Sequence, residues 1–184
     1  MSRVEHLARR FFWSLKSVEV DPVDLDWARS ALSGPEFALF EKMRTHDQVH
    51  SIAVARDVAA ELELSERSWV VAAALLHDVG KVESGVGVAG RVVAAVLEPV
   101  MPDRFVEKLA GAPGWAGRVG AHLRYTEMGA VLLGSVGSDP RVRAWAREHH
   151  LDRSRWTVPP VEGLALRAAD DRAMSGVDGG VARS

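Results

Sequence analysis

The stretch Ala72 to Lys81, read Ala-Ala-Ala-Leu-Leu-His-Asp-Val-Gly-Lys, constrains this chain more than any other. From Val70 to Leu76 every residue is apolar. A helix built there offers water no polar face and has to lie inside a core. It delivers two side chains able to ligate a metal, His77 and Asp78, at its end. Gly80 is expected to take the left-handed turn that closes many helices. Lys81 then sits where a cation complements the helix C-terminus. A second His-Asp pair stands at His46-Asp47, and composition alone yields such pairs by chance. Only His77-Asp78 has the apolar helix before it and the Gly-Lys turn behind it.

With 184 residues, 47% of them apolar, the chain is long enough for one domain with a substantial core. It has no cysteine, which excludes disulfides, thiolate zinc sites and cysteine nucleophiles. Any metal must be held by histidines and carboxylates. The formal charge of -2 gives no broad basic surface for bulk nucleic-acid binding. Arg9-Arg10 is followed by no apolar signal region. The apolar stretch from Val86 to Met101 is broken by Arg91, Glu98 and Pro99 and is too short to span a bilayer. The expectation is a soluble, cytoplasmic protein with no transmembrane segment.

Val4, Leu7, Phe11, Leu15 and Val18 recur at helical spacing and predict an amphipathic helix docked on the core. Asp21-Pro22 opens a turn before a short helix over Asp24 to Leu32, ended by Ser33-Gly34-Pro35. Pro35 suits a first helical turn, and the pattern stays helical to Leu62. Ser65 is expected to cap a helix from Glu66 to Asp78. Further helices are predicted over Val88 to Leu97, near Asp103 to Leu109, and over Trp115 to Leu123 and Thr126 to Leu133, the last two able to form one rod. Asp139-Pro140 reads as N-cap and first position of a helix ending near His149. Leu151 to Pro160 is a loop, Val161 to Met174 a last helix, and the Gly-rich remainder a frayed tail. No segment alternates like a strand for long. The fold class is an all-α bundle.

His50 lies 27 residues before His77, in Asp47-Gln48-Val49-His50-Ser51-Ile52. Leu166-Arg167-Ala168-Ala169-Asp170 sets a carboxylate in the last predicted helix. Together with Leu76-His77-Asp78-Val79-Gly80-Lys81, these runs resemble the HD-domain superfamily of metal-dependent phosphohydrolases, most closely the branch that includes the HD-GYP proteins. The resemblance covers about residues 43–175. It implies an HD-domain helical bundle with extra N-terminal helices: an extension over 1–40 packed on the core, the HD domain over 41–175, and a flexible tail over 176–184. It further implies that His50, His77, Asp78 and Asp170 ligate a divalent ion. Two imidazoles with two carboxylates suit Mn, Fe, Co, Ni, Zn or Mg. Asp78 and Lys81 would then serve catalysis on a small phosphate ester, a phosphomonoester or a nucleotide-like phosphodiester. Asp171 is a solvated neighbour, one residue out of phase.

A second group follows the same pattern with departures. His149-His150 matches a His-His pair at a helix end, and Met128-Gly129-Ala130 matches a Gly-Ala helix. Tyr125, however, stands where the family has a histidine before that helix. His122 lies one turn earlier, about 5.4 Å away along a helix. The Gly-Tyr-Pro signature is absent; Leu151, Asp152 and Arg153 occupy its place. A phenol with a pKa near 10 is a poor ligand at neutral pH. The expectation is therefore one tightly held ion and a second held weakly or bridged by substrate phosphate, with His149 and His122 as its candidate ligands. Lys81, His150 and Arg147 are candidate substrate contacts, Arg147 belonging to a run of arginines whose guanidinium forks suit phosphate oxygens. Two other readings remain open. One is a degenerate HD domain acting as a metal- or nucleotide-binding regulatory module without catalysis. The other takes His46-Asp47-Gln48-Val49-His50 as a zinc-protease-like motif with Asp in place of Glu, although Asp is shorter and no third ligand follows.

Overall fold

The computed structural model describes residues 19–63, 68–84, 101 and 103–176. Among the described residues there is no strand. The helices are α1 (Pro22–Ala31), α2 (Gly34–Phe40), α3 (Thr45–Glu61), α4 (Trp69–Leu76), α5 (Asp103–Ala110), α6 (Gly114–Leu123), α7 (Tyr125–Ser135), α8 (Pro140–Glu148) and α9 (Pro160–Gly176). Short 3-10 turns run over Val79–Ser84 and Arg153–Arg155. The expected helices over Val4 to Val18 and Val88 to Leu97, and the tail after 176, lie outside the described residues, as does Ser65.

Local chemistry sets the boundaries. Asp21 accepts a hydrogen bond from Val23 N at 2.8 Å, so with Pro22 in the first turn the first helix starts two residues before the expected Asp24. Ser33 and Glu36 form a reciprocal capping box for α2. The expected helical run from Pro35 to Leu62 breaks at 41–44, where Gln48 Nε2 donates to the Phe40 carbonyl at 3.0 Å and satisfies the end of α2. Ser68, not Ser65, caps α4, its Oγ accepting from Val71 N at 3.2 Å. Helices α6 and α7 are separate elements, parted at Arg124 (φ -107, ψ 14). Asp139 caps α8 as expected, accepting from Arg141 N at 2.8 Å.

Helix α4 is the centre of the bundle. Val70 to Leu76 are all buried, and α1, α2, α3, α8 and α9 pack around them. Truncating Leu75 or Leu76, both fully buried, would cost about 2–5 kcal/mol. Trp27, Ala28, Phe37 and Phe40 of α1 and α2 join the same core. Arg172 on α9 pairs with Asp57 at 2.7 Å and with Glu61, both on α3. That fastens the last helix to the one bearing His50.

Gly80 corrects the sequence reading. The positive-φ glycines among the described residues are Gly114 and Gly137, and the chain after Asp78 continues as a 3-10 turn in which Lys81 N donates to Asp78 O at 3.0 Å. Glycine is needed there for space. A Cβ on Gly80 would fall 1.8 Å from the Tyr125 carbonyl oxygen and 2.6 Å from Gly129 N. The absent side chain lets α7 lie directly on the turn that follows His77-Asp78. No helix among the described residues is long and apolar enough to cross a membrane.

Candidate metal centre

Four elements converge beside the end of α4. His50 on α3 reaches Asp170 on α9, with Nε2 2.9 Å from Oδ1, although 120 residues separate them. His77 Nε2 lies 3.6 Å from Asp78 Oδ2 and 4.0 Å from Asp170 Oδ1. Donor atoms of His50, His77 and Asp78 all lie within 4.8 Å of one another. That is the scale of a cage whose ligands each sit about 2.0–2.2 Å from one ion. The structure thus brings together His50, His77 and Asp78, and joins Asp170 to them through both imidazoles.

The donors are already oriented. His77 Nδ1 is 2.8 Å from the Ala74 carbonyl; a carbonyl only accepts, so Nδ1 carries a hydrogen and Nε2 is the nitrogen turned to the carboxylates. His149, buried at the end of α8, has the same arrangement. Its Nδ1 lies 3.2 and 3.1 Å from the Trp145 and Ala146 carbonyls, and its Nε2 is 3.9 Å from Asp78 Oδ1. Asp78 therefore turns one oxygen toward His77 and the other toward His149. With imidazole and carboxylate donors and no thiolate, the set fits a divalent ion of the borderline or hard kind.

Electrostatics points the same way. Burial works to raise the Asp78 carboxyl, but Lys81 first, then His77 and His50, outweigh it and hold it well below the ordinary carboxylate range. Burial likewise opposes ionisation of Asp170 and is overcome by the hydrogen bond from His50 and the charge of His77 and His50, so it too stays ionised. His149 is driven the other way: burial first, then His150 and His77, push it well below the usual histidine value, with Asp78 and Asp170 only partly offsetting them. It is a neutral base. Lys81 Nζ donates to Asp78 Oδ2 and lies 3.9 Å from Asp47 Oδ1.

The remaining residues separate. Tyr125 Oη is 3.2 Å from His149 Nε2 and in closer contact with His150 Nε2, so both histidines of the pair face the phenol. Arg147 is exposed and its guanidinium pairs with buried Glu148 at 3.5 Å. Asp171 is exposed and pairs with Arg167 at 3.6 Å. His122 belongs to α6, but its side chain lies outside the described residues.

Two contributors escaped the sequence reading. Asp47 is buried and faces Lys81. Its signal was the i, i+3 spacing to His50, which puts both on one face of α3. Arg167 Nη1 donates to the His149 carbonyl and ties α9 to the end of α8; nothing in its local sequence distinguishes it from a surface arginine. A family model described as the HD domain matches residues 48–175 of the chain. No curated protein and no solved structure gives a significant match.

Proposed function

The chain belongs to the HD-domain family, and from that premise we propose that it is a metal-dependent phosphohydrolase acting on a small phosphomonoester or a nucleotide-like phosphodiester. The observation that carries the reading is the meeting of His50, His77 and Asp78 donor atoms within 4.8 Å, with Nε2 of His77 already turned to carboxylates. Bound there, a divalent ion lowers the pKa of a coordinated water and polarises a phosphoryl oxygen.

The chain's own residues do the rest. His77 holds its outer nitrogen in place through its bond to the Ala74 carbonyl, and His50 is set directly against Asp170. Asp78, kept ionised, has one oxygen toward His77 and Lys81 and one toward His149, so it can ligate and orient an attacking water at once. Lys81, held between Asp78 and Asp47, is a fixed positive charge for the oxygens of a phosphoryl group in transfer. His150 is exposed and in contact with Tyr125 beside His149, where it can meet a substrate phosphate.

A second reading, a binding module without turnover, is favoured by the Tyr125 hydroxyl on His149 and His150. Elemental analysis of protein purified without chelator, paired with a panel of phosphomonoesters and phosphodiesters, separates the two. Metal with turnover supports the hydrolase, metal or nucleotide binding without turnover supports the module, and protein with neither overturns both.

A further inference from the structure

The phenol that replaces the expected histidine is not idle. Tyr125, the only tyrosine in the chain, is buried at the first residue of α7, and Gly80 packs against its carbonyl. Its Oη carries one proton and can also accept. The His149 ring hydrogen is on Nδ1, against the Trp145 and Ala146 carbonyls, so its Nε2 is a bare lone pair. If Tyr125 gave its proton to His150, that lone pair would face a phenol lone pair at 3.2 Å with nothing between them. The His149 lone pair is satisfied in one direction: Tyr125 O–H donates to His149 Nε2, which leaves Tyr125 Oη as acceptor toward His150 Nε2.

We propose that Tyr125 is a cap on a ligand position: its hydroxyl occupies the His149 lone pair that would otherwise join Asp78 Oδ1 in a second cation site. The chain then holds one divalent ion, at His50, His77 and Asp78, and takes a second only when the phenol turns away. This rests on the metal-binding reading above. The His149 Nε2 to Asp78 Oδ1 separation of 3.9 Å is what makes the position a site at all. The carboxylate's other oxygen already belongs to the His77 side, so one residue serves both. Because its O–H points at the His149 lone pair, the phenol blocks the position and does not ligate in its place.

Titration calorimetry with zinc alone, on chelator-stripped protein, tests this. Wild type should bind one ion tightly. Tyr125→Phe, which keeps the ring and removes the hydroxyl, should bind two, with affinity for the second raised about tenfold, the scale of one displaced hydrogen bond. Wild type with two tight ions, or a folded Tyr125→Phe protein still binding one, overturns the cap and leaves the metal reading standing. Wild type binding none overturns the metal reading and the cap with it. Tyrosine labelled with 13C at Cζ supplies a readout that needs no variant, because a single resonance reports this hydroxyl. It should hold its position through the first equivalent of zinc and move with excess. A shift completed at the first equivalent would place Tyr125 at the first ion and refute the proposal.

Discussion

In the half of the site formed by His50, His77, Asp78 and Asp170, imidazole nitrogens face carboxylate oxygens at 2.9–4.0 Å. In the half formed by Tyr125, His149 and His150, imidazole nitrogens face a phenol. Each half has one imidazole at a helix end, His77 or His149, whose Nδ1 faces a backbone carbonyl. Their charge states differ. Carboxylates kept ionised against burial give the first half the negative charge that would hold a cation. A neutral His149 and a neutral phenol complete one another, so the second half is satisfied as it stands. The same imidazole is a metal site or a hydrogen-bonded cluster according to whether its neighbour can be an anion.

Asp78 touches both halves, so its loss should be the largest effect. Asp78→Ala is expected to strip the ion and lower turnover by at least about 10³-fold, the upper range for removing one electrostatic contributor, with the helical circular dichroism preserved. Elemental analysis after desalting, beside the turnover assay, checks it. A variant that keeps its ion would show that the first half does not depend on this carboxylate.

Gly80 holds the halves in register. Gly80→Ala puts a Cβ 1.8 Å from the Tyr125 carbonyl and is expected to cost near the upper end of about 1–3 kcal/mol of overpacking, or more, because the obstacle is backbone. Urea denaturation measures it. A neutral substitution would mean that α7 is free to move, and that the contrast between halves is not fixed by packing.

Arg167 reaches the second half directly, through the His149 carbonyl. Arg167→Met removes the donor to the His149 carbonyl and should lower stability by about 1.5 kcal/mol, the low end for a charged donor because the guanidinium is partly exposed. The single tyrosine resonance should shift while the affinity for the first ion stays unchanged. An equal loss of first-ion affinity would show that the halves are not separable.

Asp139, which caps the helix carrying His149, gives the smallest effect. Asp139→Ala should cost about 1 kcal/mol at pH 7. The side-chain bond from Arg141 lowers the folded Asp139 carboxyl, with burial working against it and the backbone bond and charge of Arg141 adding to it. A depressed folded value means the contribution is complete above the unfolded value near 3.9 and is lost as pH falls through the folded one. Thermal melts of the pair should therefore converge in acid. A gap that persists unchanged there would assign the cap to geometry alone.

The apolar run of α4 and the Asp139-Pro140 start were legible because each depends on neighbours within a turn or two of chain. His50, His77, Asp78 and Asp170 were legible as a pattern, and their meeting follows from α3 and α9 packing beside the end of α4. Ser68 displacing Ser65, and the split at 41–44, turned on which polar side chain reached which backbone group; several serve equally well in sequence. Arg167 and Asp47 gave weaker signals still, since a charged residue on a helix is ordinarily a solvated one.

By itself the sequence determined an all-α bundle around one apolar helix and the identity of the imidazoles and carboxylates at its rim, because periodicity and residue type are local properties. The tertiary structure alone decided that Gly80 is there for a close approach and not for a left-handed turn, and that Tyr125 faces His149 and His150. It also decided that Asp78 stands between a charged half and a neutral one. The physical reason is common to all three. Each depends on α7 lying against the turn after α4, a contact between residues more than forty positions apart, and the charge state of a buried group is set by what packs against it, not by what precedes it in the chain.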